Sequence, residues 1–192
     1  MPRKFRRLLT CVDTNAPAEG ERVRVRGLPF NSSRLKPVRE LIDMIHGVKI
    51  IPLRQIVDER GKIMHMMKAT DPHFIKFGEI YFSCAWPGTV KAWHIHKRMT
   101  INNAVMSGRA KLVMYDLRDD SPTKGELQEV FFGEDNYVLV QMPPGIANGY
   151  KAYGDKLVIL ANCATEPHDP DEIVRIDPFT KDIPYNWDLK NG

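Results

Sequence analysis

Gly88-Thr89-Val90-Lys91-Ala92-Trp93-His94-Ile95-His96 is the stretch on which the fold of this chain turns. Side chains of an extended segment alternate with a period of two, so histidines two residues apart point to one face. Gly88 stands six residues before His94, and Gly108 twelve after His96. A histidine pair framed in this way makes His94 the first candidate for chemistry in the chain.

Outward from this stretch one pattern repeats. Short apolar runs occur at 48–53, 63–67, 77–84, 89–95, 103–106, 110–117, 128–132, 137–142, 156–163 and 173–176. Turn signals separate them, among them Asp58-Glu59-Arg60-Gly61, Pro87-Gly88, Ser107-Gly108, Gly133-Glu134-Asp135-Asn136 and Pro143-Pro144-Gly145. About ten regularly spaced strands without a long helical pattern predict an all-β sandwich or barrel. Residues 164–192 hold four prolines and reach Tyr185-Asn186-Trp187, which reads as an irregular tail with aromatic anchors.

The first part of the chain differs. Residues 1–33 are rich in Pro, Gly, Asn, Ser and charge. Ser33 is placed to cap a helix over 34–46, where Val38, Leu41, Ile42 and Ile45 form an i, i+3, i+4, i+7 stripe and Gly47 ends the pattern. The expected organisation is a basic N-terminal arm with a short helix, residues 1–46, and a β domain, residues 47–192.

Composition narrows the function classes. The chain is 43% hydrophobic and 27% charged, ordinary for a globular protein. No apolar run approaches the ~20 residues of a membrane-spanning helix. Leu8 to Val12 is too short for a signal-peptide core, so the expected compartment is the cytoplasm and no membrane partner is expected. Residues 1–49 carry 11 Lys and Arg against 5 Asp and Glu, and the remainder is net −2. The basic arm lacks aromatic interleaving beyond Phe5 and Phe30, so it reads as solvated or packed on a partner subunit, with no nucleic-acid partner. Cys11, Cys84 and Cys163 show no metal spacing and read as reduced and structural.

The spacing Gly88, His94, His96, Gly108 is similar to the first cupin motif, whose metal-binding form also carries a glutamate and draws a last histidine from a second motif. Ile101 holds the glutamate position, and Asn148, in Pro143-Pro144-Gly145-Ile146-Ala147-Asn148, holds that of the last histidine. Two imidazoles and an amide make a poor site for a divalent ion, so no metal is expected. The pair offers acid–base chemistry instead, because imidazole titrates near neutral pH. The bland alternative is two histidines that satisfy hydrogen bonds in a core.

From about Gly47 to Trp187 the chain resembles the dTDP-4-dehydrorhamnose 3,5-epimerase family of cupins. Asp58-Glu59-Arg60-Gly61 looks like its D-x-R-G, and Val90-Lys91-Ala92-Trp93-His94-Ile95-His96 like its L-R-G-L-H-x-Q. Tyr115-Asp116-Leu117-Arg118-Asp119-Asp120-Ser121-Pro122-Thr123-Lys124-Gly125 looks like D-x-R-x-x-S-P-T-x-G and is the most specific segment. Pro143 to Tyr150 looks like P-x-G-F-A-H-G-F, and Ile176-Asp177-Pro178 through Trp187 like the closing N-D-P…I-x-W.

The resemblance implies a jelly-roll homodimer that uses no cofactor and binds a nucleoside-diphosphate 4-keto-6-deoxy sugar. A proton next to the C4 ketone is removed and returned from the opposite face. Carried over by position, His94 is the base, Arg60 and Lys91 hold the diphosphate, Glu172 contacts the ligand, and Asn148 replaces a ligand-contacting histidine. Lys91 stands for an arginine, a point charge instead of a bidentate fork. The family's enolate-stabilising lysine aligns with Ile101, its tyrosine acid with Ala161 and its glutamine after the base with His96. Its base-orienting aspartate falls beyond Trp187. Tyr81, Tyr150, Tyr153 and Lys97 are the candidate substitutes for the acid.

His94-Ile95-His96-Lys97 also looks like the sugar 3,4-ketoisomerases, a related cupin group. The expected function is therefore a sugar-nucleotide epimerase or isomerase with His94 as base and His96 as a second proton-transfer or binding group. The alternatives are a ketoisomerase, a non-catalytic carbohydrate- or nucleotide-binding cupin, and a metal-dependent cupin.

Overall fold

The computed structural model describes residues 45–190. The expected arm and its helix over 34–46 lie outside the described residues, save Ile45 and His46. The rest is all-β, with twelve strands: β1 Lys49–Pro52, β2 Gln55–Asp58, β3 Gly61–Met64, β4 Glu79–Ala85, β5 Val90–His96, β6 Ile101–Ser107, β7 Arg109–Asp116, β8 Leu127–Gly133, β9 Val138–Met142, β10 Ile146–Tyr153, β11 Val158–Ala164 and β12 Ile173–Arg175. Two five-stranded sheets, ordered β1-β9-β6-β11-β4 and β12-β5-β10-β7-β8, make the jelly roll, and β2 and β3 form a separate hairpin. All pairings are antiparallel; β5 and β6, consecutive in sequence, lie in different sheets, whereas β7 and β8 pair within one.

Alternation drives the packing. Leu112 and Met114 of β7, Val105 of β6, Val140 of β9, Phe132 of β8 and Leu160 of β11 fill the space between the sheets. A second cluster covers the outer face of the second sheet, where Trp93, Val113 and Ala147 meet Ile183 and Trp187. The irregular tail is held there by its aromatics. Trp93 and Trp187 lie 5.0 Å apart by ring centroid, and both indoles donate to the Pro178 carbonyl.

Two strands escape the apolar-run reading. β2 is short, polar at both ends and exposed along most of its length. β10 reads Ile-Ala-Asn-Gly-Tyr-Lys-Ala-Tyr, too mixed in polarity for a simple run, yet it is almost wholly buried because β5 and β7 flank it and the tail covers one face.

The most specific sequence segment is structural. Asp116 accepts from Arg118 Nε and Nη2 and from the hydroxyls of Ser121 and Thr123, all within 2.8 Å. Arg118 also donates to the His46 carbonyl, and a Cβ on Gly145 would come within 2.7 Å of Arg118 Cγ. The two motifs therefore interlock, and the Gly145 N–H donates to the His96 carbonyl at 2.8 Å.

Candidate active site

The histidines face a cavity of about 570 Å³ between the sheets, lined from one side by β5, β10 and β12 and from the other by β4, β6 and β11. A bulge shapes its floor. Asn148 of β10 pairs with His94, but Tyr150 pairs with Lys91, so three steps along β5 match two along β10. The extra residue reverses the alternation. Lys91 and His94, which strict alternation would put on opposite faces, both line the cavity, while Trp93 points outward into the tail cluster. Gly149 makes the bulge possible: a Cβ there would meet Ala92 Cβ at 2.2 Å.

Of the sequence-derived residues, His94, His96, Lys91, Asn148 and Glu172 meet at this cavity. Arg60 does not. It sits at the tip of the β2–β3 hairpin, its side chain 86% exposed and paired with Asp58 at 2.6 Å.

His94 is flanked by β10 and β12. Asn148 Nδ2 donates to its carbonyl at 2.9 Å. Burial pushes the imidazole down to about 4, with the charges of Arg175, His96 and Lys91 acting in the same direction. It is therefore neutral and able to accept a proton at neutral pH. His96 is held differently. Its Nδ1 lies 2.7 Å from Glu172 Oε2. A carboxylate only accepts, so Nδ1 carries the hydrogen and Nε2 is the ring's free nitrogen.

Glu172 is fully buried, and its Oε1 accepts from the backbone of Arg98 and Met99. Burial would raise its pKa, but these hydrogen bonds and that of His96 outweigh it and hold the carboxylate below its usual range. Both of its oxygens are engaged, and Glu172 orients His96.

The opposite wall supplies phenols. Tyr81 of β4 lines the cavity, and Asn162 Nδ2 donates to its oxygen at 2.8 Å, which leaves the phenol hydrogen for a ligand. Burial raises the Tyr81 pKa, so it stays protonated. Tyr150 also lines the cavity, but its hydroxyl bonds to Ser83 Oγ at 2.8 Å, where Lys91 Nζ donates at 3.2 Å. Tyr153 packs against Phe131, and Lys97 donates to the Asp171 carbonyl; neither lines the cavity.

Arg175, Asn103 and Asn162 are lining residues that the sequence reading missed. Asn103 and Asn162 each present a buried Oδ1 with no partner among the described residues. Their only sequence signal is a polar residue inside an apolar run. Among the described residues no group of three His, Cys, Asp or Glu side chains is arranged to hold a metal.

A family model for dTDP-4-dehydrorhamnose 3,5-epimerase matches residues 43–191. The chain belongs to this family. It is 34% identical over 150 residues to the spore coat polysaccharide biosynthesis protein SpsL of Bacillus subtilis, covering 77% of this chain and 99% of that one. Identity to the probable low-salt glycan biosynthesis epimerase Agl13 of Haloferax volcanii is 37% over 144 residues, 74% of this chain and 89% of the relative. The crystal structure of a dTDP sugar isomerase from Desulfovibrio desulfuricans matches with a TM-score of 0.73 at 42% identity, covering 74% of this chain and 92% of that one. Ile101 and Ala161 are packed away, 3% and 1% exposed. Neither side chain offers a proton or a charge. No helix among the described residues is long and apolar enough to cross a membrane.

Proposed function

We propose that the chain is a nucleotide-sugar epimerase that removes and returns a proton next to the ketone of an NDP-4-keto-6-deoxy sugar, in the manner of dTDP-4-dehydrorhamnose 3,5-epimerase. One observation carries the reading: a neutral imidazole, His94, and a protonated phenol, Tyr81, stand on opposite walls of one cavity. Inversion at carbon needs a base on one face and an acid on the other. His94 takes the proton, and Tyr81 donates from across the cavity. The product recovers its ketone, and both side chains regain their protonation by exchange with water. His96, oriented by Glu172, is the second proton-transfer group.

Lys91 contacts the diphosphate, and Asn148 borders the sugar beside the base. The relatives support a dTDP-linked substrate, since the Desulfovibrio desulfuricans structure is described as a dTDP sugar isomerase. Arg60 reaches a cavity only if the hairpin is offered to a second copy, so this reading includes a homodimer with Arg60 on the partner's diphosphate. The expected compartment is the cytoplasm.

The test is a panel of dTDP-, GDP- and CDP-linked 4-keto-6-deoxy sugars in deuterated water, followed by NMR. The wild type exchanges a ring proton and inverts that centre. His94→Asn folds and abolishes exchange; full exchange by that variant would sink the assignment. Tyr81→Phe retains exchange and loses inversion by about 10²-fold or more.

A 3,4-ketoisomerase is the second reading. It is favoured by His94 and His96 sharing one wall, which suits a proton moving between neighbouring carbons on one face. It predicts a 3-keto product whose formation survives Tyr81→Phe.

A further inference from the structure

We propose that Arg175 is the cation that receives the enolate oxygen formed when His94 takes a proton from the sugar. The assignment rests on the epimerase reading above. Strand β12 pairs antiparallel with β5, and Arg175 lies directly opposite His94. Directly opposed residues of such a pair share a face, with Cβ atoms about 5 Å apart. Both line the cavity.

Among the described residues no carboxylate lies within ion-pair distance of Arg175, whereas Arg98, Arg109 and Arg118 are each held by an aspartate. Its charge is open to a ligand and acts on both walls, since it lowers the proton affinity of His94 and of Tyr81. The other cation at the cavity, Lys91, is turned towards Ser83. Ile101 is packed in the core and leaves no cation at its own position.

The chemistry requires a group in this place. As His94 takes the proton, the C–H electron pair becomes a carbon–carbon double bond and the carbonyl π pair moves onto O4. That oxygen is two bonds from the carbon His94 attacks, so the group that receives the charge must stand beside His94. The diphosphate is carried on C1, across the ring from C4, and is remote from a cation so placed. A guanidinium is permanently charged and presents several donors in one plane. A donor already aimed where charge develops accelerates such a step about 10²–10³-fold.

The experiment compares wild type, Arg175→Met and Arg175→Lys by deuterium exchange into dTDP-4-keto-6-deoxyglucose and by dTDP affinity, with thermal melting as the check on folding. Arg175→Met is expected to slow exchange about 10²–10³-fold while dTDP affinity changes less than about threefold. Arg175→Lys restores part of the rate and carries the comparison if the methionine variant melts early. In Arg175→Met the acidic limb of the residual exchange rate moves to higher pH, because a cation beside His94 is gone. The other charged or titratable groups at that cavity, Lys91, His96, Tyr81, Tyr150, Glu79, Asp169, His168 and Glu172, are unchanged. A purely structural role would not move that limb. Exchange within about threefold of wild type overturns the proposal. So does a fall in dTDP affinity that matches the fall in rate, which makes Arg175 a diphosphate contact. No exchange by the wild type on any sugar of the panel overturns the epimerase reading and this assignment with it.

Discussion

His94 links catalysis to stability. Its folded-state value of about 4 lies below the 6.5 of a free imidazole. The unfolded chain therefore binds a proton at a pH where the folded chain does not. Stability is full above pH 6.5 and declines as the pH falls from 6.5 to about 4, by roughly 3 kcal/mol in all. Asp116 and Glu172 have the same sign but a lower window, since their hydrogen bonds outweigh burial and hold them below 3.8 and 4.5. Thermal melts from pH 7 to pH 4 should show the decline in the wild type and its loss in His94→Asn; equal slopes in the two proteins would contradict the shift. The candidacy of His94 was legible in the sequence because a His-x-His spacing on a strand sets a common face. The role of Glu172 was not, because 76 residues separate it from His96 and only the pairing of β12 with β5 brings them together.

The bulge in β5 is the element on which the site depends. It turns Lys91 and His94 to one side and sends Trp93 to the other, so a single extra residue serves both the cavity and the outer cluster. Gly149 is the residue that accepts it. In Gly149→Ala the new Cβ would lie 2.2 Å from Ala92 Cβ and 3.1 Å from the Lys91 carbonyl. Backbone stands on that side, so the strand must shift. We expect a loss of about 1–3 kcal/mol in chemical denaturation, with dTDP affinity falling as Lys91 moves. A variant as stable as wild type that binds dTDP normally would show that β5 does not need the close approach. Alternation counted along the sequence cannot reveal such a bulge, because the shift is defined by the register against β10. β10 itself was passed over: its burial comes from two neighbouring strands and the tail, not from its own composition.

At the scale of the molecule, apolar side chains stand exposed on the hairpin and along the edge strand β4. Val57 and Ile63 are 73% and 61% exposed on the hairpin. Phe82 on β4 is 60% exposed, and Trp86 just beyond it 73%. Edge strands with exposed apolar faces are sites of association. Sedimentation should find a dimer. Shared sites have a sharper signature. Arg60→Ala and His94→Asn, each impaired alone, should regain exchange activity when the two proteins are unfolded together and refolded as a mixture. One cavity of the mixed dimer would then hold an intact His94 and an intact Arg60 from its partner. Failure to recover, in a mixture shown to form the mixed dimer, would place Arg60 in its own chain or outside the reaction.

The sequence by itself determined the all-β jelly roll, the common face of His94 and His96, and the kinship carried by the Asp116 and Pro143 segments. These are local properties: strand period, turn residues and short motifs whose partners lie within a few positions. Tertiary structure alone decided which groups share the cavity. It placed Tyr81 across from His94, set Arg175 beside it, gave Glu172 to His96, and left Arg60 on an exposed hairpin. Each of these depends on which strands pair and in what register. That pairing is the outcome of burying two sheet faces against each other, and no stretch of the chain records it alone.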